Sequence, residues 1–596
     1  MTNRQTGELT GYPSIDKPWL KYYSEEAINT PVPECSIYEY MLENNKDYPA
    51  DSAILYLRRK ITYKELFENI DRVAASFLKV GVKEKEIVTV ALPSIPEALY
   101  CIYALNKIGA VANVIHPLAG KEETLNLFKE VHSRIAVIFE GAYETIADDV
   151  GKTSVEEVIV VSPADSLPFA YKIAYRLKVK EPDLDGKVFK SWKAFVRDGK
   201  DTSVKAVKKD CREIAVISHT GGTTGEPKGV MLSDRNIVSI IWQVSKTLPV
   251  VRQERQMVVL PPFVNYSLVN SMLEPVALGN TAVLIPDYRP EKLGEYISKY
   301  KPAWICSIPP YWEVMLSKHF KRRDLSCLKY PIYGGEGMSP ENEIKINDVL
   351  RECRVKRKLS KGLGATELTS VATLTRLDST VGGNAGLPLP KINVKILGTE
   401  INEELGYNQE GEICFSGPSL MLGYYDNSQE TDSVIRVHAD GERWFHTGDL
   451  GYITENGEVN VTGRIKRLMI TKGKDGNPAK MYPDRIEKAI YRHPSVELCC
   501  VIGVSDRERV NYPKAFILLK NKEDEENVKE QVLEICRENL PEYMVPEEIS
   551  FVEEMPRTPR GKIDYRALEE QELYNLTDHW RKDNVIRQQD RLSIYR

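Results

Sequence analysis

Between Thr62 and Ile115 the hydrophobic period changes twice, and that change admits few folds. Leu66, Phe67, Ile70, Val73, Ala74 and Phe77 recur at helical spacing behind Thr62 and Glu65, a capping-box pair. Gly81 ends that helix, and the apolar run Ile87–Leu92, closed by Pro93, predicts a buried strand. A second helix is expected from about Pro96 to Ile108, then another apolar strand over Ala110–Ile115. Two buried strands joined by a helical crossover form a βαβ unit, which packs as a parallel sheet covered by helices. The theme returns at Ile214–Ser218, at Thr281–Ile285 and at Trp304–Ile308, the last followed by a helix from about Pro310.

At 596 residues the chain exceeds one core. Cores stop growing near about 250–300 residues, so roughly three or four domains or subdomains are expected. The 42% apolar and 28% charged composition excludes a mainly disordered chain. Lys and Arg number 81 against 86 Asp and Glu, a net −5 that asks for no nucleic-acid partner. No run approaches the roughly 18 apolar residues of a membrane span. No apolar stretch follows Arg4, so a secretory signal is not expected and the cytoplasm is the expected location. The ten cysteines contain no CxxC and do not combine with the eight histidines at finger-like spacing, which argues against a disulfide scaffold or a zinc site. Cys499 and Cys500 sit in the apolar run Leu498–Val504 and read as small buried hydrophobes.

Two stretches break the pattern. Ser166–Lys180 (SLPFAYKIAYRLKVK) is aromatic and basic. It reads first as a covering helix with a solvated Lys/Arg face, with peripheral membrane contact as the alternative. From about Lys466 the charge density rises, and a smaller α+β domain beginning near Arg464 is expected. Within it Glu523–Glu526 (EDEE) reads as an exposed turn, and Trp580–Arg596 as a basic tail.

The segment Ser218–Gly229 (SHTGGTTGEPKG) follows an expected strand. Its glycines and threonines make a loop rich in backbone N–H and hydroxyl donors, and Lys228 adds a point charge. That combination suits a polyphosphate better than a plain Gly/Thr turn. It is not the P-loop of NTPases, since no Gly directly precedes Lys228 and no Ser or Thr follows it, and GxGxxG is absent.

These residues resemble the phosphate loop of the AMP-forming adenylate-forming superfamily, which includes acyl-CoA synthetases, luciferases and peptide-synthetase adenylation domains. Other segments resemble its motifs in the expected order: Tyr333–Ser339 (YGGEGMS), Gly364–Glu367 (GATE), Gly411–Ile413, Gly417–Tyr425 (GPSLMLGYY), Trp444–Leu450 (WFHTGDL), Gly463–Lys466 (GRIK) and Pro556–Asp564 (PRTPRGKID). The resemblance implies an α/β fold with a large N-terminal part of several subdomains over residues 1–463. A small mobile α+β domain would follow over 464–575, with a tail at 576–596. It also implies ATP, Mg²⁺ and coenzyme A as co-substrates. Thr220, Gly221, Gly222, Thr223, Thr224, Gly225 and Lys228 would hold the phosphates. Gly335, Glu336, Gly337, Leu363, Gly364 and Ala365 would line the adenine. Thr366 would reach the α-phosphate and Glu367 would ligate Mg²⁺, an ion that prefers oxygen donors. Asp449, acceptor-only with two oxygens, would take the ribose hydroxyls with Arg464 beside it. Lys562 would enter the site for adenylation, and Lys466 would be the hinge on which its domain turns.

The chain also departs from the family pattern. Leu363 stands where an aromatic residue usually stacks on adenine, and Val264 replaces a usual His after Phe263. Phe263, Asn265 and Tyr266 are the expected acid-pocket residues. The stretch 474–480, which normally borders the thiol tunnel, is longer than usual. The leading expectation is a ligase that makes acyl-CoA from an apolar fatty or aryl acid, because Phe263–Asn270 lacks the carboxylate an amino-acid substrate would need. The second is loading of a carrier-protein phosphopantetheine thiol, and the third a degenerate binding homologue, against which intact Lys228, Glu367, Asp449 and Lys562 argue.

Overall fold

The computed structural model describes residues 9–572 apart from 200–202, 221–226, 377–383, 400–402, 473–477, 507–509, 522–523 and 558–562. The capping box is present at the start of helix Tyr63–Lys79. The Thr62 hydroxyl accepts the Glu65 N–H at 3.3 Å, and the Glu65 carboxylate accepts the Thr62 N–H at 2.8 Å. Leu66, Ile70, Val73, Ala74 and Phe77 are buried along one face, while Phe67 is only half-buried. Gly81 takes φ 82° and donates its N–H to the Leu78 carbonyl at 3.0 Å, a left-handed helix end that glycine adopts without a Cβ penalty.

Strand Ile87–Ala91, helix Pro96–Lys107 and strand Val111–Val114 complete the expected unit, with Ile87 opposite Val111 in parallel register. The helix is buried on every residue, as a crossover packed between layers must be. The first sheet has eight strands in the order Gly423–Tyr424, Gly229–Ser233, Ile214–His219, Val111–Val114, Ile87–Ala91, Ile135–Phe139, Glu157–Val161, Phe189–Ser191. All its pairings are parallel except the two that join the first three strands. A second sheet of nine strands runs from Leu387–Pro388 and Val371–Leu374 through Ser360–Gly364, Tyr330–Tyr333, Trp304–Ser307, Arg255–Val258 and Thr281–Leu284 to Ser52–Tyr56 and Arg59–Thr62. Its core is built on Ile305, Trp312, Tyr333 and Leu350, packed under helix Pro340–Glu352. The architecture is α/β with parallel-rich sheets between helices.

The chain divides into two compact units. One comprises Met1–Gln409, Cys414–Thr447 and Ile453–Asn460, the other Glu410–Ile413, Gly448–Tyr452 and Val461–Arg596. In the second, Val496–Asp506 pairs antiparallel with Val510–Leu519, which pairs parallel with Glu548–Phe551. Cys499 and Cys500 are each 2% exposed and point to opposite faces of this sheet. Cys499 joins Ile486, Ile490 and Val532, whereas Cys500 joins Phe516, Met555 and Leu568.

Two sequence expectations need correction. Glu525 and Glu526 are not in a turn; they open helix Glu525–Asn539, where acidic side chains complement the positive end of the helix dipole. The aromatic, basic stretch does form a helix, Phe169–Arg176, but not a covering one with its apolar face inward, because none of its residues is buried and Phe169 and Ile173 are exposed. No helix among the described residues is long and apolar enough to cross a membrane.

Phe77 is fully buried, with its ring edge-on to Phe195 at 5.0 Å between centroids, and Trp192 lies beyond it, tilted at 40° to Phe195 with centroids 5.7 Å apart. Phe77→Ala should therefore cost about 3–5 kcal/mol. Phe67→Ala should cost less than half of that. Urea unfolding followed by tryptophan fluorescence checks both.

Candidate functional site

Strands Ile214–His219 and Gly229–Ser233 pair antiparallel with His219 opposite Gly229, so Thr220–Lys228 is the loop between them. Its neck is closed twice: the Thr220 N–H donates to the Lys228 carbonyl at 3.0 Å, and the Lys228 N–H donates to the Thr220 hydroxyl at 3.3 Å. Gly221, Gly222, Thr223, Thr224 and Gly225 lie outside the described residues. Lys228 places its ammonium 5.1 Å from the centre of the Tyr424 ring and against the Glu430 carboxylate. Tyr424 is positioned by pairing with Val230 on the strand that leaves the loop. Its hydroxyl donates to Glu367 Oε1 at 2.7 Å. Burial, reinforced by the charge of Glu367, raises the Tyr424 pKa and keeps the hydroxyl a donor.

Glu367 sits in a short 3₁₀ turn, Thr366–Leu368, directly after strand Ser360–Gly364, and its carbonyl accepts the Met421 N–H at 2.9 Å. Strand Tyr330–Tyr333 runs parallel beside it, with Tyr333 opposite Lys361, and leads into Gly334–Gly337. Gly335, Glu336 and Gly337 therefore leave the same sheet end as Ala365, Thr366 and Glu367, the usual place for ligands in α/β sheets. Gly335 has φ 82°. Gly364 is required for another reason: a Cβ there would lie 1.9 Å from the Ser370 carbonyl oxygen, which accepts the Ala365 N–H at 3.0 Å. Leu363 is half-buried on the strand, opposite Thr373.

Phe263, Asn265 and Tyr266 fall where the chain turns into a helix beside these loops. The Asn265 side-chain amide donates to the Thr369 carbonyl, which ties it to the turn that carries Glu367. Tyr266 is half-buried as a whole residue, and desolvation of its hydroxyl together with Cys306 raises its pKa. His116 packs on Phe263, with ring centroids 4.1 Å apart. It comes from the end of the strand Val111–Val114, far in sequence from the position where Val264 replaces a histidine. Residues Leu268–Leu273 form a π-helical turn. Within it the Asn270 carbonyl accepts from Gln256, its side-chain oxygen accepts from Ser370, and its amide donates to Glu274 at 2.6 Å. Burial pushes Glu274 up to about 8.

In the second unit, Arg464 Nε lies 2.8 Å from Asp449 Oδ1, and Asp449 is only 8% exposed. Lys466 lies in the 3₁₀ turn Ile465–Arg467. Arg467 next to it is clamped, with 2.6 Å contacts to both Asp484 and Glu487. Burial opposes its charge, but the two carboxylates outweigh burial and hold the guanidinium protonated. Lys562 and residues 474–477 of the lengthened stretch 474–480 lie outside the described residues, whereas 478–480 belong to strand Pro478–Met481.

A sequence model described as "AMP-binding enzyme" matches residues 41–425, and one described as "AMP-binding enzyme C-terminal domain" matches 485–562. The chain belongs to the AMP-binding enzyme family. This family lies in the adenylate-forming superfamily, whose AMP-forming CoA ligases use ATP with Mg²⁺ and CoA. The chain is 30% identical over 558 residues to a probable 4-coumarate–CoA ligase of Dictyostelium discoideum, covering 91% of this chain and 96% of that one. It is 27% identical over 569 residues to a long-chain-fatty-acid–CoA ligase of Bacillus subtilis, covering 94% and 99%. Among solved structures, an anthranilate CoA ligase in complex with anthranoyl-AMP superposes with a TM-score of 0.79 at 21% identity, over 92% of this chain and 99% of that one. The Bacillus subtilis o-succinylbenzoate CoA synthetase with ATP and magnesium superposes with a TM-score of 0.72 at 20% identity, over 90% and 100%. At those identities the superpositions speak to the fold.

Within this AMP-binding fold, sequence reading had not singled out Tyr424, Glu430 or His116. Tyr424 lies inside the GPSLMLGYY segment and could have been suspected from it. Glu430 and His116 carry no local signal, since only tertiary pairing brings them to Lys228 and Phe263.

Glu274 offers a test of the polar wall behind the expected acid pocket. Burial lifts its pKa from the ordinary 4.5 to about 8, so folding takes up a proton, and its contribution to stability falls as pH rises from 4.5 to about 8. Glu274→Gln keeps the Asn270 hydrogen bond without a charge to bury. It should stabilise the protein by up to about 4 kcal/mol near pH 7.5, and the gain should vanish toward pH 4.5. Urea midpoints across that pH range measure it.

Proposed function

We propose that this chain is an AMP-forming acid–thiol ligase. It joins a carboxylic acid to the α-phosphate of ATP, releases pyrophosphate, and passes the acyl group of the adenylate to coenzyme A. The observation that carries this reading is the linkage of Lys228 and Glu367 through one side chain. Tyr424 holds Glu367 by its hydroxyl at 2.7 Å and Lys228 by its ring at 5.1 Å. A cation for phosphate oxygens and a carboxylate for a divalent ion are thereby kept at a fixed spacing. Charge neutralisation of this kind dominates phosphoryl chemistry.

Glu367 is half-buried and oxygen-bearing, and its hydrogen bond comes from a donor that stays protonated, so it fits Mg²⁺. When bound, that ion would offset negative charge on the nucleotide phosphates. Thr220 and the loop to Lys228 would supply donors to the β and γ groups, and Thr366 a hydroxyl to the α-phosphate. Gly335–Gly337 and Leu363–Ala365 would form the adenine slot, with apolar contact from Leu363 in place of a stacked ring. Asp449, oriented by Arg464, would accept the ribose hydroxyls. Lys562 would bridge acid and ATP oxygens in the adenylation step alone, with Lys466 as the pivot.

The acid is proposed to be apolar, a fatty or aryl acid, entering beside Phe263, Asn265 and Tyr266. The likeness to a probable 4-coumarate–CoA ligase and to a long-chain-fatty-acid–CoA ligase supports an apolar acid of either kind. Release of AMP from ATP over a panel of fatty, aryl and amino acids tests this, with CoA and a phosphopantetheinylated carrier protein as rival acceptors. Turnover with amino acids alone, or with the carrier alone, would overturn it. Glu367→Gln is nearly isosteric but removes the charge. Its turnover should fall by roughly 10²-fold, about 2.7 kcal/mol, with little change in melting temperature. An early-melting variant of full specific activity would make Glu367 a structural residue instead.

A further inference from the structure

We propose that helix Phe169–Arg176 docks this protein on an anionic lipid surface. The helix is inside out. Its exposed side is apolar throughout: Phe169, Ala170, Ile173, Ala174 and Leu177 follow one another at helical spacing, and all are exposed, Phe169 at 79% and Leu177 at 82%. The opposite side is polar and tethered. Tyr175 donates its hydroxyl to Glu140 at 2.6 Å, and Arg176 donates to the other oxygen of the same carboxylate at 3.0 Å while also pairing with Glu181 at 3.0 Å. Glu140 is itself buried and accepts from Ser162 at 2.7 Å, so the anchor is built into the fold. The polar tether fixes which way the helix faces, and that way is outward.

The charge around this face selects the occupant. Residues 166–180 contain Lys172, Arg176, Lys178 and Lys180 and no acidic residue, in a chain of net charge −5. Lys178 and Lys180 are exposed just past the helix, and exposed Arg58 reaches over the Tyr171 ring at 5.9 Å from the hairpin between Ser52–Tyr56 and Arg59–Thr62. An apolar strip edged by cations on a short helix lying flat on the surface is the composition of an interfacial helix, with apolar side chains entering the acyl boundary and lysines meeting headgroups. A protein groove would present satisfied backbone and a shaped wall. A lipid surface asks only for apolar length and positive charge, and those are what the helix offers. It lies in the connection between Glu157–Val161 and Phe189–Ser191, at the sheet edge opposite the phosphate loop, so docking leaves that loop free.

Vesicle flotation of the full chain tests this, with phosphatidylcholine alone and with roughly one-quarter phosphatidylglycerol, at about 0.1 M and about 0.5 M salt. The parental protein should float with the anionic vesicles and be released by salt. Phe169→Ser with Leu177→Ser, and separately Lys178→Glu with Lys180→Glu, should each lower partitioning about tenfold or more. All four positions are exposed, so melting curves and ATP-dependent turnover on a soluble acid should stay at the parental level. Failure of the parental protein to float overturns the proposal, as does equal flotation by either double variant. A parental dimer that Phe169→Ser with Leu177→Ser turns into a monomer, with no vesicle binding by either, would also overturn it and make the face a contact between copies. The flotation, oligomer and melting readouts do not depend on which acid the enzyme activates.

Discussion

A two-residue strand brings the candidate site together. Gly423–Tyr424 adds to the edge of the first sheet beside Gly229–Ser233, and this short antiparallel pairing sets Tyr424 between residues almost 200 positions upstream and others nearer in the chain. Lys228 comes from the loop that precedes the paired strand, and Glu367 comes from a turn at the end of the second sheet. The Met421 N–H reaches the Glu367 carbonyl in the same stretch. The Tyr424 hydroxyl and the Met421 amide thus tie this edge of the first sheet to the carboxylate turn at the end of the second. The phosphate loop and the carboxylate turn keep their spacing because both lean on this segment.

Much of the scaffold could be read from residue order because the forces that build it are local. A capping box needs only Thr62 and Glu65 three residues apart, and a left-handed helix end needs only Gly81 where the apolar period stops. Buried crossover strands announce themselves as unbroken apolar runs, as at Ile87 and Val111, because both faces of a parallel sheet are covered. The motif glycines were legible for a similar reason, since close backbone approach has few chemical solutions.

What escaped the sequence depends on where a side chain faces. His116 meets Phe263 only because the chain after Val111–Val114 in the first sheet comes against the chain after Arg255–Val258 in the second, and Glu430 meets Lys228 only because its helix follows the edge strand. For the stretch around Phe169, periodicity gave the helix but not its facing. An amphipathic pattern is symmetric between apolar side in and apolar side out. Glu140, some thirty residues earlier, breaks that symmetry by taking the polar face into the fold, and nothing in the helix itself announces it. Glu525 and Glu526 misled in a milder way, since acidic residues suit both a solvated turn and the first turn of a helix.

Gly364 carries a consequence for any attempt to reshape this enzyme. Most crowded positions can be relieved by trimming a neighbouring side chain, so a larger residue at one site can be accommodated by a smaller one at another. Here the obstructing atom is the carbonyl oxygen of Ser370, which every amino acid at that position would also possess. No second-site change of residue type can remove it. A redesign that seeks a different nucleotide or acid must leave this crossing of two backbones alone and work through the side chains that stand on either side of it.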